Sequence, residues 1–460
     1  MAELRLSELA EKMNGTILQG DPSSKFSNFS INSRQIKKGS LFFALKDKRD
    51  GHDFIPDAVK NGAKGVVVSE QVPFVDEKTA YIKVGHTLDS LQRLAHQVLR
   101  DYPVRVIGIT GSTGKTTTKE FTASLLKSKH HVLKSQGNFN NHIGLPLSLL
   151  KLNKKHRTAV LEYGMSHSGE ISTLTRIARP DVAVICNVYP VHMEFFENIH
   201  EIAAAKKEIL DGMNPNGRAV LNGDQPLVLG MIKSLKKSPV LFGLTDKCDV
   251  RAYNIQIHSL EKMSFDFLYK GHEARTTIPF SNRGYLYNFL AAAATASVLS
   301  VPFEKILKTG RKLSPPDKRG EVLSLPNNTK VINDTYNSNP AALEEALKSL
   351  SVQKGGRRVA VLGDMLELGE KQIAYHTAAG KSVVENKIDL LITVGPLAKY
   401  IAEGALISGM TPENIISFEQ SEEAADKILS LLNKNDFILI KGSRGVKTEK
   451  IVNVLKKEGK

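Results

Sequence analysis

Lys115 and Thr116 close a glycine-bearing turn, Gly111-Ser112-Thr113-Gly114, and Thr117 and Thr118 extend the hydroxyl run. In a strand-turn-helix of this kind, backbone N–H groups and a helix N-terminus converge on one point, which favours a polyphosphate. Lys115 would then reach the outer phosphates, and the Thr116 hydroxyl would serve magnesium. The pattern is a variant, because the strict motif has glycine where this chain has Ile109, with Gly108 one residue earlier. A glycine-rich surface turn with a solvated lysine is the plain alternative. The hydroxyl run and the flanking pattern favour phosphate binding, with ATP as the working ligand.

Two further side chains could hold a cation beside such a phosphate. An apolar strand over 158–161 delivers Glu162, and another over 182–188 leads to His192, with Glu194 nearby. Magnesium prefers carboxylate oxygen and keeps several waters. The bland reading is a capping glutamate and an exposed histidine. Lys206 adds a third candidate. On a helix over 201–213, steps of three and four place Ile202, Ile209, Leu210 and Met213 on one stripe that also takes in Lys206, whereas Lys207 points elsewhere. A lysine on an apolar face must snorkel, find a partner or lose its charge. Periodicity alone favours snorkelling. A deprotonated amine could instead react with CO2 to give a carbamate, in effect a long carboxylate able to hold a metal.

The elements that must position these residues are those of an α/β protein. The β-branched run before the turn reads as a buried strand, and Phe121, Leu125 and Leu126 recur at helical spacing after it. Upstream, a helix over 6–13, strands near 40–45 and 65–69 and a helix over 88–100 surround two turn-rich segments, Ser33-Arg34 and Gly51-His52-Asp53-Phe54. Downstream, strands and helices alternate, which predicts a parallel sheet whose ligands collect at the carboxyl ends of its strands. The uncharged stretch 284–303 has the length of a membrane span, but its alanines, Asn288, Thr295, Ser297, Ser300 and Pro302 favour a buried soluble helix.

The pattern breaks at 314–319 (SPPDKR), as domain boundaries often do. A strand over 330–333 follows, and Asn339 is placed to cap a helix with Pro340 at its first position and Leu343, Leu347 and Leu350 inside. Strands over 359–363, 390–395, 415–418 and 437–441 complete a Rossmann-like unit. It lacks G-x-G-x-x-G, so no dinucleotide cofactor is implied.

At 460 residues the chain is expected to form two to four domains. Its net charge of +15 comes from scattered Lys and Arg with no block of five, which suits acidic small substrates better than nucleic acid. Cys186 and Cys248 lie far apart without metal spacing, which argues for a reducing compartment and against a disulfide framework. The N-terminus MAELRLSELAEKM lacks the apolar core of a signal peptide, so a cytoplasmic location is expected.

Together these segments resemble the Mur ligase family over essentially the whole length. The likeness rests on 31–45 (INSRQIKKGSLFFAL) with 50–54, the turn 108–116, 140–150 (NNHIGLPLSLL), 161–171 (LEYGMSHSGEI), 204–210, 334–340 (DTYNSNP), 361–369 (VLGDMLELG) and 441–444 (KGSR). The last three point to the branch that adds D-alanyl-D-alanine. The resemblance implies three domains: a small α/β N-terminal domain over 1–102 for the UDP end of the substrate, a central P-loop ATPase with a parallel sheet over 103–313, and a C-terminal Rossmann-like domain over 314–460 that closes over the site. It implies ATP-dependent joining of D-alanyl-D-alanine to a UDP-N-acetylmuramoyl tripeptide through an acyl phosphate, in peptidoglycan synthesis, by a monomer that takes neither nucleic acid nor a membrane.

Carried over residue by residue, the resemblance implies that Gly111, Ser112, Thr113, Gly114, Lys115, Thr116 and Thr117 hold the ATP phosphates. It implies magnesium, in two ions, on Thr116, Glu162, His192 and a carbamylated Lys206. Asn288, Arg319 and Asp334 would contact the nucleotide, Ser33 and Arg34 the UDP-sugar, and Asn141, Tyr336, Asn337, Lys441 and Arg444 the substrates. The chain departs from the family at 282–288, where NRGYLYN replaces G-x-H-N-x-x-N, so Tyr285 or Tyr287 is expected to stack on adenine. Asn32 also stands where Asp is common. The competing readings are a sibling ligase, including a folate-glutamate ligase, a nucleotide-dependent regulatory ATPase that forms no amide, and a nucleic-acid-binding P-loop protein.

Overall fold

The computed structural model describes residues 3–127 and 129–458, which form an α/β protein with three larger sheets succeeding one another along the chain. The first is five-stranded, in the order Thr16–Gln19, Ala80–Lys83, Ala63–Val68, Ser40–Phe43, Phe29–Ser30. The helix Thr87–Arg100 covers it with Leu91, Leu94, Ala95 and Val98, the stripe its sequence predicts.

The second sheet has nine strands. It is parallel from Val132–Lys134 at one edge through Thr158–Glu162, Arg105–Thr110, Val182–Ile185, Arg218–Asn222 and Val240–Gly243 to Val250–Ser259. Strands such as VAVI (Val182–Ile185) are buried throughout, as a parallel sheet covered on both faces requires. Beyond Val250 the alternation with helices stops, and Lys262–Tyr269 and His272–Ile278 add an antiparallel meander. Here the apolar period changes to two: Met263, Phe265, Phe267 and Tyr269 share one buried face under Phe289. Above them lies the alanine-rich helix Arg283–Val298, buried at Ala291 through Ala294. No helix among the described residues is long and apolar enough to cross a membrane.

The third sheet runs Glu321–Ser324, Lys330–Asp334, Phe437–Lys441, Arg358–Gly363, Leu390–Val394, Ile415–Phe418, all parallel except its first strand. The helix Pro340–Ser351 starts as expected, with Asn339 Oδ1 accepting the N–H of Ala342 at 2.9 Å.

Register places the chemistry. Glu162 pairs with Ile109 and Ile185 with Thr110, so the phosphate turn, Glu162 and the segment after Ile185 leave the central sheet at one edge. In the third sheet Asp334 pairs with Lys441, at the carboxyl end of both strands. The helix carrying Lys206 runs Ile199–Asp211, two residues earlier than its periodicity suggests, because Asn198 Oδ1 accepts the N–H groups of His200 and Glu201 and so sets its start.

Candidate active site

A cleft of about 710 Å³ lies where these two sets of strand ends face each other. The phosphate turn forms one wall and is braced from behind by Asn187. Its carbonyl accepts the Ser112 N–H at 3.1 Å, its Oδ1 accepts the Thr113 N–H at 2.9 Å, and its Nδ2 donates to the Thr113 carbonyl at 3.2 Å. Gly114 is left-handed at φ +76°, and a Cβ there would meet Asn288 Oδ1 at 2.2 Å, so only glycine lets the alanine-rich helix approach this closely. Lys115 Nζ folds back to donate to the Gly111 carbonyl at 2.8 Å. Burial pushes its pKa down, against the pull of Glu162.

Glu162 is 3 % exposed and fully engaged. Thr116 Oγ1 donates to Oε2 at 2.8 Å, Asn140 Nδ2 donates to Oε1 at 2.9 Å, and Lys119 Nζ stands 3.8 Å from Oε2. A hydroxyl and a carboxylate this close are hard oxygen donors, the set that fits magnesium. His192 also lines the cleft, with φ +56° and its Nδ1 2.8 Å from Glu367 Oε2. The imidazole holds the Glu367 carboxyl below the usual range.

Lys206 is 1 % exposed, so the snorkelling that periodicity favours does not occur. The helix stripe packs against the central sheet. Among the described residues no ion pair or hydrogen bond reaches its ammonium. Burial, with the Lys115 charge adding to it, holds its pKa well below the ordinary 10.5. Lys206 and Gly111 are not among the residues lining the cleft.

Tyr285 and Tyr287 both line the cleft, and each has a second task. Tyr287 donates to Asp224 Oδ2 at 2.9 Å, and Tyr285 packs edge-on to Phe280 beneath Gly320, where a Cβ would meet its hydroxyl at 2.2 Å. From the third sheet come Asp334, Tyr336, Asn337 and Lys441. Lys441 Nζ donates to Asp334 Oδ2 at 2.6 Å and to the Asn337 carbonyl at 2.9 Å, and the Arg319 guanidinium lies 3.8 Å over the Tyr336 ring. Asn141 and Thr117 are in the lining as well.

Ser33, Arg34 and Arg444 are not among the residues lining this cleft. Arg444 reaches toward it, 5.9 Å from the Tyr336 ring. Ser33 and Arg34 sit on a one-turn helix capped by Asn32, whose Oδ1 accepts the Arg34 N–H at 3.0 Å, the bond an aspartate would make. In the turn Gly51–Phe54, His52 is buried and held by Asp50 at 2.6 Å and the Ser69 N–H at 3.0 Å, so its work is structural. Lys46 already fills the neighbouring carboxylate pair, 3.3 Å from Asp50 and 2.6 Å from Glu70. Both cysteines are free and buried.

Sequence reasoning missed Asn187, Asn140, Lys119 and Glu367. Lys119 carried a signal: it lies one helical turn after Lys115, on the same face. Asn187, at a strand end beside the turn, carried a weaker one.

Three family profiles cover most of the chain: Mur ligase family, catalytic domain (residues 25–98), Mur ligase middle domain (109–296) and Mur ligase, glutamate ligase domain (318–444). The UDP-N-acetylmuramoyl-tripeptide–D-alanyl-D-alanine ligase of Bacillus subtilis is 34% identical over 458 residues, covering 99% of both chains. That of Escherichia coli is 30% identical over 466 residues, covering 100% of both. Among solved structures, MurF from Acinetobacter baumannii superposes with a TM-score of 0.90 at 28% identity over 99% of each chain. MurF ligase from Thermotoga maritima in complex with ADP gives 0.82 at 30% identity, covering 94% of this chain and 97% of its own.

Proposed function

The chain belongs to the Mur ligase family, and from that premise we propose that it joins D-alanyl-D-alanine to a UDP-N-acetylmuramoyl tripeptide with conversion of ATP to ADP and phosphate. The observation that carries this reading is the match, end to end, to relatives named for that reaction. The ADP bound to the Thermotoga maritima relative supports ATP as the nucleotide.

A carboxylate is a poor electrophile at neutral pH. Transfer of the γ-phosphoryl group to the tripeptide carboxylate gives an acyl phosphate and ADP. The amine of the dipeptide then attacks that carbonyl, phosphate leaves, and the nitrogen loses a proton. Phosphoryl transfer depends mainly on positioning and charge neutralisation. In this reading the N–H groups of 111–117 cradle the phosphates, and Lys115 leaves its Gly111 carbonyl to reach the γ-phosphate. Thr116, Glu162 and His192 would hold magnesium, which supplies charge neutralisation when bound. Lys206, buried and short of a partner, has the depressed pKa that carbamate formation needs, since the neutral amine takes up CO2 with release of one proton. Asn288, Arg319 and Asp334 serve the nucleotide, Ser33 and Arg34 the UDP end, and Asn141, Tyr336, Asn337, Lys441 and Arg444 the peptide ends. Closure of the C-terminal unit excludes the water that would hydrolyse the intermediate. The proposal includes a monomer and a cytoplasmic location, where ATP is at hand.

The test is ATP-dependent product formation by mass spectrometry, with UDP-N-acetylmuramoyl tripeptides ending in L-lysine or diaminopimelate, each with and without D-Ala-D-Ala. A product heavier by one dehydrated dipeptide is expected and ranks the two tripeptides. ATP turnover with no adduct from either would move the assignment to a sibling ligase or a non-ligating ATPase.

A further inference from the structure

The segment 364–369 is tied down residue by residue, yet nothing in the reaction above uses it. Asp364 Oδ1 accepts the N–H groups of Leu397 at 3.0 Å and Ala398 at 2.7 Å, and the Asp364 carbonyl accepts that of Ser443 at 2.9 Å. His376 Nε2 accepts the Met365 N–H at 2.9 Å, and Ser443 Oγ accepts the Leu366 N–H at 2.9 Å. The next residue is Glu367, left-handed at φ +63°, followed closely by Gly369 at φ +60°. A Cβ on Gly369 would stand 2.9 Å from the Met193 carbonyl oxygen, so this loop of the third sheet presses against the backbone beside His192. His192 is itself left-handed, at φ +56°. Left-handed non-glycine residues are uncommon and persist where their surroundings over-determine them. Here two of them meet across the boundary between sheets, with Glu367 Oε2 2.8 Å from His192 Nδ1, the distance of an ion pair but without the alignment of a hydrogen bond.

We infer that Glu367 is a positioning residue: its carboxylate stands against His192 Nδ1 when the C-terminal unit is docked, leaves Nε2 as the nitrogen free for a cation, and thereby couples docking to metal binding in the cleft. The inference rests on the assignment of His192 to magnesium made above. A carboxylate against the far nitrogen of a metal-binding histidine restrains its ring orientation. Unlike a carboxylate within one rigid unit, this one arrives with the closing element. Coupling is reciprocal, so the cation in turn favours the docked state.

The test joins two readouts. Donor and acceptor dyes on Lys236→Cys and Lys434→Cys report the distance between the second and third sheets in the full chain, since both native cysteines are buried. Without metal or nucleotide, Glu367→Gln is expected to shift the population toward longer distances, and in a His192→Ala background to change nothing further. In ligation assays Glu367→Gln is expected to raise the magnesium concentration for half-maximal rate about 10-fold, with kcat at saturating magnesium changed far less. An unchanged distance distribution, an equal shift with and without His192, or an unchanged magnesium requirement would each overturn the inference. If the unsubstituted enzyme forms no amide product, the reaction reading falls, while the distance cycle still decides whether Glu367 and His192 act together.

Discussion

Lys119 and Lys206 lie on helices that flank opposite faces of the central sheet, and each is buried almost completely, at 0 % and 1 % exposure. Their surroundings differ. Lys119 Nζ finds Glu120 at 3.4 Å, Glu162 at 3.8 Å and the Gly137 carbonyl at 3.3 Å. Lys206 finds no acceptor and shares its space with the charge of Lys115. Burial alone therefore does not distinguish the two lysines; the presence of a carboxylate does. The paired lysine sets its charge beside the buried Glu162 carboxylate, and the unpaired one is left with an amine that burial drives toward its neutral form.

Removing each lysine in turn tests that contrast. The largest effect is expected from Lys206→Ala, which should lower the ligation rate about 100-fold or more, comparable to losing one charge partner of a transition state. Chloride or acetate should restore part of it, read in steady-state assays. Full activity in this variant would remove the functional half of the comparison. Next comes Lys119→Met, which strips the cation from Glu162, leaves Glu120 to Lys134, and should cost about 3 kcal/mol in urea unfolding.

Lys206→Met has no partner to orphan, and at neutral pH it should leave stability unchanged or raise it by about 1 kcal/mol. The pH trend follows from the depressed pKa. Between that value and 10.5 the unfolded chain binds more protons at Lys206 than the folded one, so unfolding takes up a proton and stability rises with pH. The stability of Lys206→Met minus that of wild type should therefore fall from about pH 7 to about pH 10. A difference that rises over this range would mean the ammonium has a partner. Smallest of all, Glu120→Gln removes the nearer and more exposed carboxylate from Lys119 while Glu162 stays, and should cost under about 1 kcal/mol. A loss as large as that of Lys119→Met, with Lys134→Met costing little, would show that Glu120, not Glu162, holds the buried lysine.

Much of this arrangement was legible in the sequence, for reasons that can be named. The phosphate turn, the strand delivering Glu162 and the Asn339-Pro340 helix start are local signals, written within a few residues by glycine placement, apolar runs and capping chemistry. The stripe on the helix Ile199–Asp211 was equally clear, and it put Lys206 on the apolar face. What periodicity left open was whether that face has an exit to water, because this depends on the strands against which the helix packs. The meander after Val250 went unread: the downstream alternation suggested parallel strands, whereas antiparallel pairing is decided by turns and by partners across the sheet. Ser33 and Arg34 were read correctly as turn residues, but the turn says nothing about which cleft it faces.

The sequence by itself determined the α/β class, the glycine-bearing strand-turn-helix ahead of Lys115 and, through motifs spread along the whole chain, the family. Tertiary structure decided the partners. Glu162 meets Thr116, Asn140 and Lys119, while Glu367 meets His192, and Lys206 meets no acceptor. Helix and strand periods arise from backbone geometry over a few residues, so a sequence can display them. A charged side chain's partner comes from segments tens to hundreds of residues away, and only the packed chain fixes which of them arrives.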